Sequence, residues 1–198
     1  EIAIETPGWQ AYRHGHHHEF ELIDLLPRAQ VLLGMCFCDA CVAGARQAGV
    51  DATGLAHRTR AELDRFFADG TEPSTDLRAD PDWSAFLAWR AATVTSLVEE
   101  VRAVMPKDVA LAIIPTTQSP NSLCWIEGSD LAALAKIARL EIPAYQSGIA
   151  AIVSDVAATK ATAGPGAQLG YILRPTYPNL PTAADVRTAV REIGAVGA

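Results

Sequence analysis

Val109-Ala110-Leu111-Ala112-Ile113-Ile114 is an unbroken apolar run, bounded by Asp108 on one side and Pro115 on the other. Six such residues without polar alternation predict a strand covered on both faces, as in a parallel sheet. Upstream, Asp80-Pro81 opens a long amphipathic helix, with Pro81 in the first turn, where a missing N–H costs nothing. Leu87, Val94, Leu97, Val98, Val101 and Met105 form its apolar stripe, and Pro106 ends it.

The same rhythm continues downstream. Ser129 is placed to cap a helix running to Leu140, residues 141–145 read as a brief strand, and Ser147 can cap a helix to about Ala161. Residues 169–173 form the next strand, and Thr182 with Asp185 has capping-box spacing ahead of a helix ending near Gly194. Toward the N-terminus, residues 1–5 alternate charged and apolar side chains before Thr6-Pro7-Gly8, which predicts a short strand entering a loop. Helices are expected over 39–48 and 53–68, stopped by Gly49 and Gly70, with Asp51 capping the second; residues 70–80 form a loop.

Four strands, each followed by helix, define an α/β fold with parallel neighbours. A doubly wound sheet satisfies the count, yet no glycine-rich phosphate loop follows the first strand. The other solution is a TIM (β/α)8 barrel, for which about 250 residues is typical. With 198 residues, a start on a strand and a Gly-Ala-Val-Gly-Ala finish after a helix, the expected architecture is a single incomplete barrel domain over 1–198 with about four βα units. Open sheet edges then predict association, so a homo-oligomer is an expected form.

Composition narrows the function classes. Hydrophobic residues make up 49% of the chain and charged residues 20%, enough apolar material for a sizeable core. Sixteen Lys and Arg against 23 Asp and Glu give a net charge of -7 with no basic block, so nucleic acid is not an expected partner. No apolar run approaches the roughly 20 residues of a membrane-spanning helix, and the expected location is the cytoplasm.

Chemistry concentrates in two segments. Cys36, Cys38 and Cys41 form a C-x-C-x2-C cluster entering a helix, whose sulfurs can converge on a tetrahedral ion with Cys124, a histidine or an upstream residue as fourth ligand. The alternative is a set of small side chains packing a helix start. Tyr12-Arg13-His14-Gly15-His16-His17-His18-Glu19 is the second segment. Arg13, His14 and His17 can line a pocket mouth and hydrogen-bond hydroxyl or carboxylate groups, or the loop is simply solvated. His14 and His16 also copy the H-x-H spacing of metal-dependent amide and ester hydrolases, in which metal-bound water is the nucleophile. Trp9, Trp125 and Tyr145 fall after strands or at strand ends, where aromatic faces can stack on sugars or pack in the core.

Met35-Cys36-Phe37-Cys38-Asp39-Ala40-Cys41, with Phe86-Leu87-Ala88-Trp89-Arg90 opening a long helix into 109–114, resembles the middle of glycoside-hydrolase barrels. The similarity, over roughly 1–117, is to the family 42 β-galactosidases and the uncharacterised glycosyl-hydrolase-like proteins related to them. In those enzymes the motif's cysteines hold a structural zinc, with a further cysteine from upstream. The resemblance implies that residues 1–5 and 109–114 match the fourth and fifth barrel strands, and 141–145 and 169–173 the sixth and seventh. Glu5 then matches the general acid/base, with Ile4 where the family has Asn.

A retaining glycosidase needs two carboxyls about 5 to 5.5 Å apart. The seventh strand ends Leu173-Arg174-Pro175, with a cation where the family has its nucleophilic glutamate. Arg174 can bind an anionic group or balance Glu5. The expected function is therefore hydrolysis of a carbohydrate with Glu5 as proton donor, with Trp9, Arg13, His14, His17, Tyr145 and Arg174 binding substrate and zinc as structural cofactor. The alternatives are the metal-dependent amide or ester hydrolase and a non-catalytic sugar-binding barrel.

Overall fold

A computed structural model of the chain describes residues 1–5, 7–9, 27–115 and 124–197. They divide into two compact units: a sheet unit of Glu1–Pro7, Val94–Cys124 and Ser129–Ala198, and a thiol unit of Gly8–Thr93 and Trp125–Gly128.

The sheet unit is built on four strands, β1 (Ile2–Glu5), β2 (Leu111–Ile114), β3 (Arg139–Ala144) and β4 (Leu169–Leu173). All three pairings are parallel and the spatial order is the chain order, β1-β2-β3-β4. The protein is thus α/β, and the described strands contain none of the order reversal that marks the switch point of a doubly wound sheet. β2 is buried at Leu111, Ala112 and Ile113, as its unbroken apolar run requires. Leu111 and Ile113 share one cluster with Leu140, Ile142, Leu131, Leu134 and Val98, the two-residue period placing each strand's pair on one face. A second cluster joins Ala144 to Ile152, Val156, Leu180 and Ala189.

Helices of the chain are α1 (Pro27–Leu33), α2 (Asp39–Gln47), α3 (Ala52–Asp69), α4 (Pro81–Val104), α5 (Cys124–Glu127), α6 (Leu131–Leu134), α7 (Ile149–Ala163) and α8 (Ala183–Gly197). Several caps follow the sequence reading. The Asp51 carboxylate accepts the Gly54 N–H at 2.9 Å, and Gly70, at φ +72°, closes α3 with a left-handed residue that donates to the Phe66 carbonyl. Asp80 accepts from the N–H groups of Asp82 and Trp83 to start α4. Thr182 and Asp185 exchange bonds, the Thr182 N–H donating to the Asp185 carboxylate at 3.0 Å and the Asp185 N–H to Thr182 Oγ1 at 3.1 Å.

Other expectations are corrected. Residues 129–140 do not form one helix: Asp130, not Ser129, accepts the Ala133 N–H, α6 ends at Leu134, and β3 has begun by Arg139. Glu141 therefore lies inside β3, half-buried and 2.7 Å from Arg139, instead of opening the strand. Gly148, not Ser147, precedes α7, and α8 extends to Gly197. The seven-residue α1 was not expected from the sequence. On α4, Leu97 is exposed, and the buried stripe is Trp83, Phe86 with its neighbour Leu87, Arg90, Val94 and Val98, its successive turns three or four residues apart, with an arginine in the apolar register.

The thiol unit packs Leu32, Ala45, Val50, Leu55, Leu77, Trp83 and Phe86 into one core. Arg28 ties α1 to α3 through Glu62, Nε to Oε2 at 2.6 Å, while Glu72 accepts the Ala29 N–H. No helix among the described residues is long and apolar enough to cross a membrane.

Candidate metal centre and strand-end residues

Cys38 precedes the first turn of α2 in extended conformation (φ -66°, ψ 166°), so Cys41 lies three residues on and one turn above it. Phe37 stacks on Phe86 with ring centres 5.2 Å apart and meets Trp83 edge-on at 6.3 Å, anchoring the segment between Cys36 and Cys38. Cys41 Sγ is 3.4 Å from Cys36 Sγ and 3.5 Å from Cys38 Sγ, and all three sulfurs lie within 4.8 Å of one another. Tetrahedral zinc with bonds of about 2.3 Å requires sulfurs about 3.8 Å apart, so the three thiols fit such an ion without rearrangement of the backbone.

The three thiols are not equivalent. Cys38 is exposed, and its thiol is held below the ordinary value, first by the Cys41 backbone amide and then by the neighbouring thiols. Burial pushes the Cys41 thiol up to about 11, the Cys36 side chain adding to the rise and the Trp9 side chain acting in the opposite sense.

Arg90, fully buried on α4, is the residue the sequence reading quoted but gave no role. Its Nε and Nη2 donate to the Ile126 carbonyl at 3.1 and 2.7 Å, and its guanidinium lies 4.5 Å from the centre of the Trp9 ring. Burial lowers its pKa to about 10, against the opposing pull of Cys41, Cys36 and Glu127. Glu127, at the end of α5, is itself fully buried, and its carbonyl accepts the Trp9 N–H at 3.1 Å. An arginine in the buried register of an amphipathic helix is the signal that could have marked this site.

The strand-end residues belong to the sheet unit. Glu5 is the last residue of β1, exposed and in register with Ile114. Tyr145 directly follows β3 and Arg174 directly follows β4, both half-buried. Asn179 Nδ2 donates to the Tyr145 and Gln146 carbonyls, holding the turn after β3. Trp9 lies in the thiol unit with one face on Arg90 and its ring 5.6 Å from Trp89, and the Trp125 ring carries the Arg78 guanidinium at 5.1 Å. Arg13, His14, His16 and His17 lie outside the described residues, as does the Cys124 side chain; His57 is exposed on α3.

Comparison with protein-family models, with curated proteins and with solved structures finds no match to this chain.

Proposed function

We propose that the four strands are consecutive members of a glycoside-hydrolase-like (β/α)8 barrel that acts on a carbohydrate, and that Cys36, Cys38 and Cys41 hold a structural zinc. The observation that carries this reading is the placement of Glu5, Tyr145 and Arg174. In a parallel sheet ordered as the chain is ordered, all three stand at or just beyond the C-terminal ends of strands. That end carries the site in barrel enzymes. Glu5 acts as the general acid, passing a proton to the glycosidic oxygen as the leaving group departs. The Tyr145 ring stacks on a sugar face, and Arg174 binds a hydroxyl or carboxylate.

One observation favours a second reading, a barrel that binds sugar without cleaving it. Among the described residues, Glu5 is the only carboxylate at or directly after the C-terminal end of a strand, and β4 is followed by Arg174. A panel of aryl glycosides separates the two. Turnover that Glu5→Gln reduces by two or more orders of magnitude supports hydrolysis, whereas calorimetric binding of sugars without turnover supports the binding barrel. Neither turnover nor binding overturns both.

A further inference from the structure

Among the described residues the four-stranded sheet is open at both edges: β1 pairs only with β2, and β4 only with β3. A parallel sheet requires cover on both faces and leaves unpaired backbone groups at an open edge. One face is covered. Ile113, Leu140 and Ile142 pack with Val98, Leu131 and Leu134, with Ile4 and Tyr171 against them, and Ala144, of the same parity, packs on α7 and α8. The two-residue period puts Ala3, Glu5, Ile114, Glu141, Pro143 and Ile172 on the opposite face. That face is largely apolar, yet Ala3 and Glu5 are exposed on it. Four parallel strands in chain order with their helices on one face make half of an eight-stranded barrel.

The helices at the two ends of the sheet carry matching flanks. On α4, Leu97 and Val104 are 52% and 85% exposed, with Val101 between them and Glu100 on the rim. A right-handed crossover from β1 to β2 turns this stripe toward the free edge of β1. By the same rule α8 turns Val190, 56% exposed, toward the free edge of β4, with Arg187 on its rim. An apolar flank with an acidic rim at one end of the sheet thus complements an apolar flank with a basic rim at the other.

We propose that two copies of this chain close one eight-stranded parallel barrel about a two-fold axis, β1 of each pairing with β4 of the other and α4 packing on the partner's α8. This rests on the barrel reading above and names the source of the other four strands. Closure also completes the site. Strands about 4.8 Å apart make an eight-stranded barrel roughly 15 Å across, and the two-fold sets Glu5 and the partner's Glu5 at one level on opposite walls. Side chains reaching about 4 Å inward leave the carboxyls about 7–8 Å apart, the spacing of an inverting pair. One Glu5 passes a proton to the glycosidic oxygen as its bond to the anomeric carbon breaks. The partner's Glu5 takes a proton from the water whose oxygen forms the new bond to that carbon, so each turnover returns the pair to its starting state with the two roles exchanged.

The test is the mass of the full chain by sedimentation, expected to be that of a dimer. Ile2 N–H donates to the Ala110 carbonyl at 2.9 Å, so by alternation the Ala3 N–H faces the free edge. Ala3→Pro removes that donor and keeps the β1–β2 bonds, and is expected to give a monomer that unfolds cooperatively. Leu97→Arg and Val190→Glu are each expected to weaken the dimer about tenfold or more, and the double variant, with opposite charges across one flank, to recover most of the loss. A wild-type monomer overturns the proposal and leaves the carbohydrate reading to the glycoside panel. A dimer that these variants leave intact overturns it equally. Should Ala3→Pro not fold, unchanged dimerisation in both helix variants, or no recovery in the double, overturns the interface. A heterodimer of one wild-type and one Glu5→Gln chain, isolated with two affinity tags, is expected to lose turnover about a hundredfold, whereas half of wild-type activity overturns the shared pair. Absence of both turnover and sugar binding overturns the carbohydrate reading, while mass and rescue still decide closure.

Discussion

The Arg90 guanidinium stacks on the indole of Trp9 at 4.5 Å while two of its nitrogens grip the Ile126 carbonyl. Three distant stretches of the thiol unit therefore meet on one side chain. In the metal-free chain, Arg90→Ala removes both charged hydrogen bonds and leaves a void beneath Trp9. We expect a loss of about 2–4 kcal/mol in urea unfolding, and a change below about 0.5 kcal/mol would show that the buried guanidinium is not a structural joint.

Gly8 is the close-approach point of the same unit. A Cβ there would overlap the Glu127 backbone oxygen, the acceptor for the Trp9 N–H. Neither partner is a flexible side-chain end, so backbone must move. Gly8→Ala is expected to destabilise the unit by about 1–3 kcal/mol and to change tryptophan fluorescence, which reports on the displaced Trp9. Wild-type fluorescence together with wild-type stability would count against this packing.

Asp155 on α7 gives the sheet unit a pH dependence. It is 5% exposed, Oδ2 has no hydrogen-bond partner among the described residues, and burial raises its pKa from 3.8 to about 6. The folded state thus holds the proton more tightly than the unfolded one. The stability this provides is complete below pH 3.8 and is lost as pH rises through about 6. A shift of this size corresponds to roughly 3 kcal/mol at most. Asp155→Asn should flatten this part of the stability profile and leave the variant more stable than wild type at pH 7.5, with little difference at pH 4. Parallel profiles for the two proteins between pH 4 and 7.5 would refute the assignment.

Metal removal provides a fourth check. With zinc bound only to the folded cluster, the ion contributes its binding free energy to stability. A strong chelator is expected to lower the melting temperature of wild-type chain and to leave Cys38→Ser unchanged. Equal melting of wild type with and without chelator would mean that the thiols pack without a metal.

The strands were readable because each carries a local signal. The apolar run around Leu111 and Ile113 announced a strand buried on both faces, and the Asp51, Asp80 and Thr182 caps lay where short polar side chains precede apolar periodicity. Residues 129–140 were misread because Ser129 and Asp130 are both competent caps, and only the packing of Leu131 and Leu134 against Leu140 decides that a turn must fall between them. The cysteine cluster was legible from spacing alone. Arg90 and Glu127 were not: their importance depends on burial, and a charged residue announces nothing of its burial unless the register of its helix is followed through it.

The thiol unit is closed by a fragment made late. Its main stretch runs through Thr93, yet the carbonyl that Arg90 grips and the one that Trp9 donates to belong to Trp125–Gly128. A chain emerging from the ribosome therefore completes the intervening segment, including β2, before this unit can close. Such contacts between residues far apart in sequence slow folding, because the chain between them must be ordered before the contact rewards it. Truncation before residue 125 would release a thiol unit with its aromatic and guanidinium partners in place but its clasp missing, a state prone to proteolysis and to premature oxidation of the neighbouring cysteines.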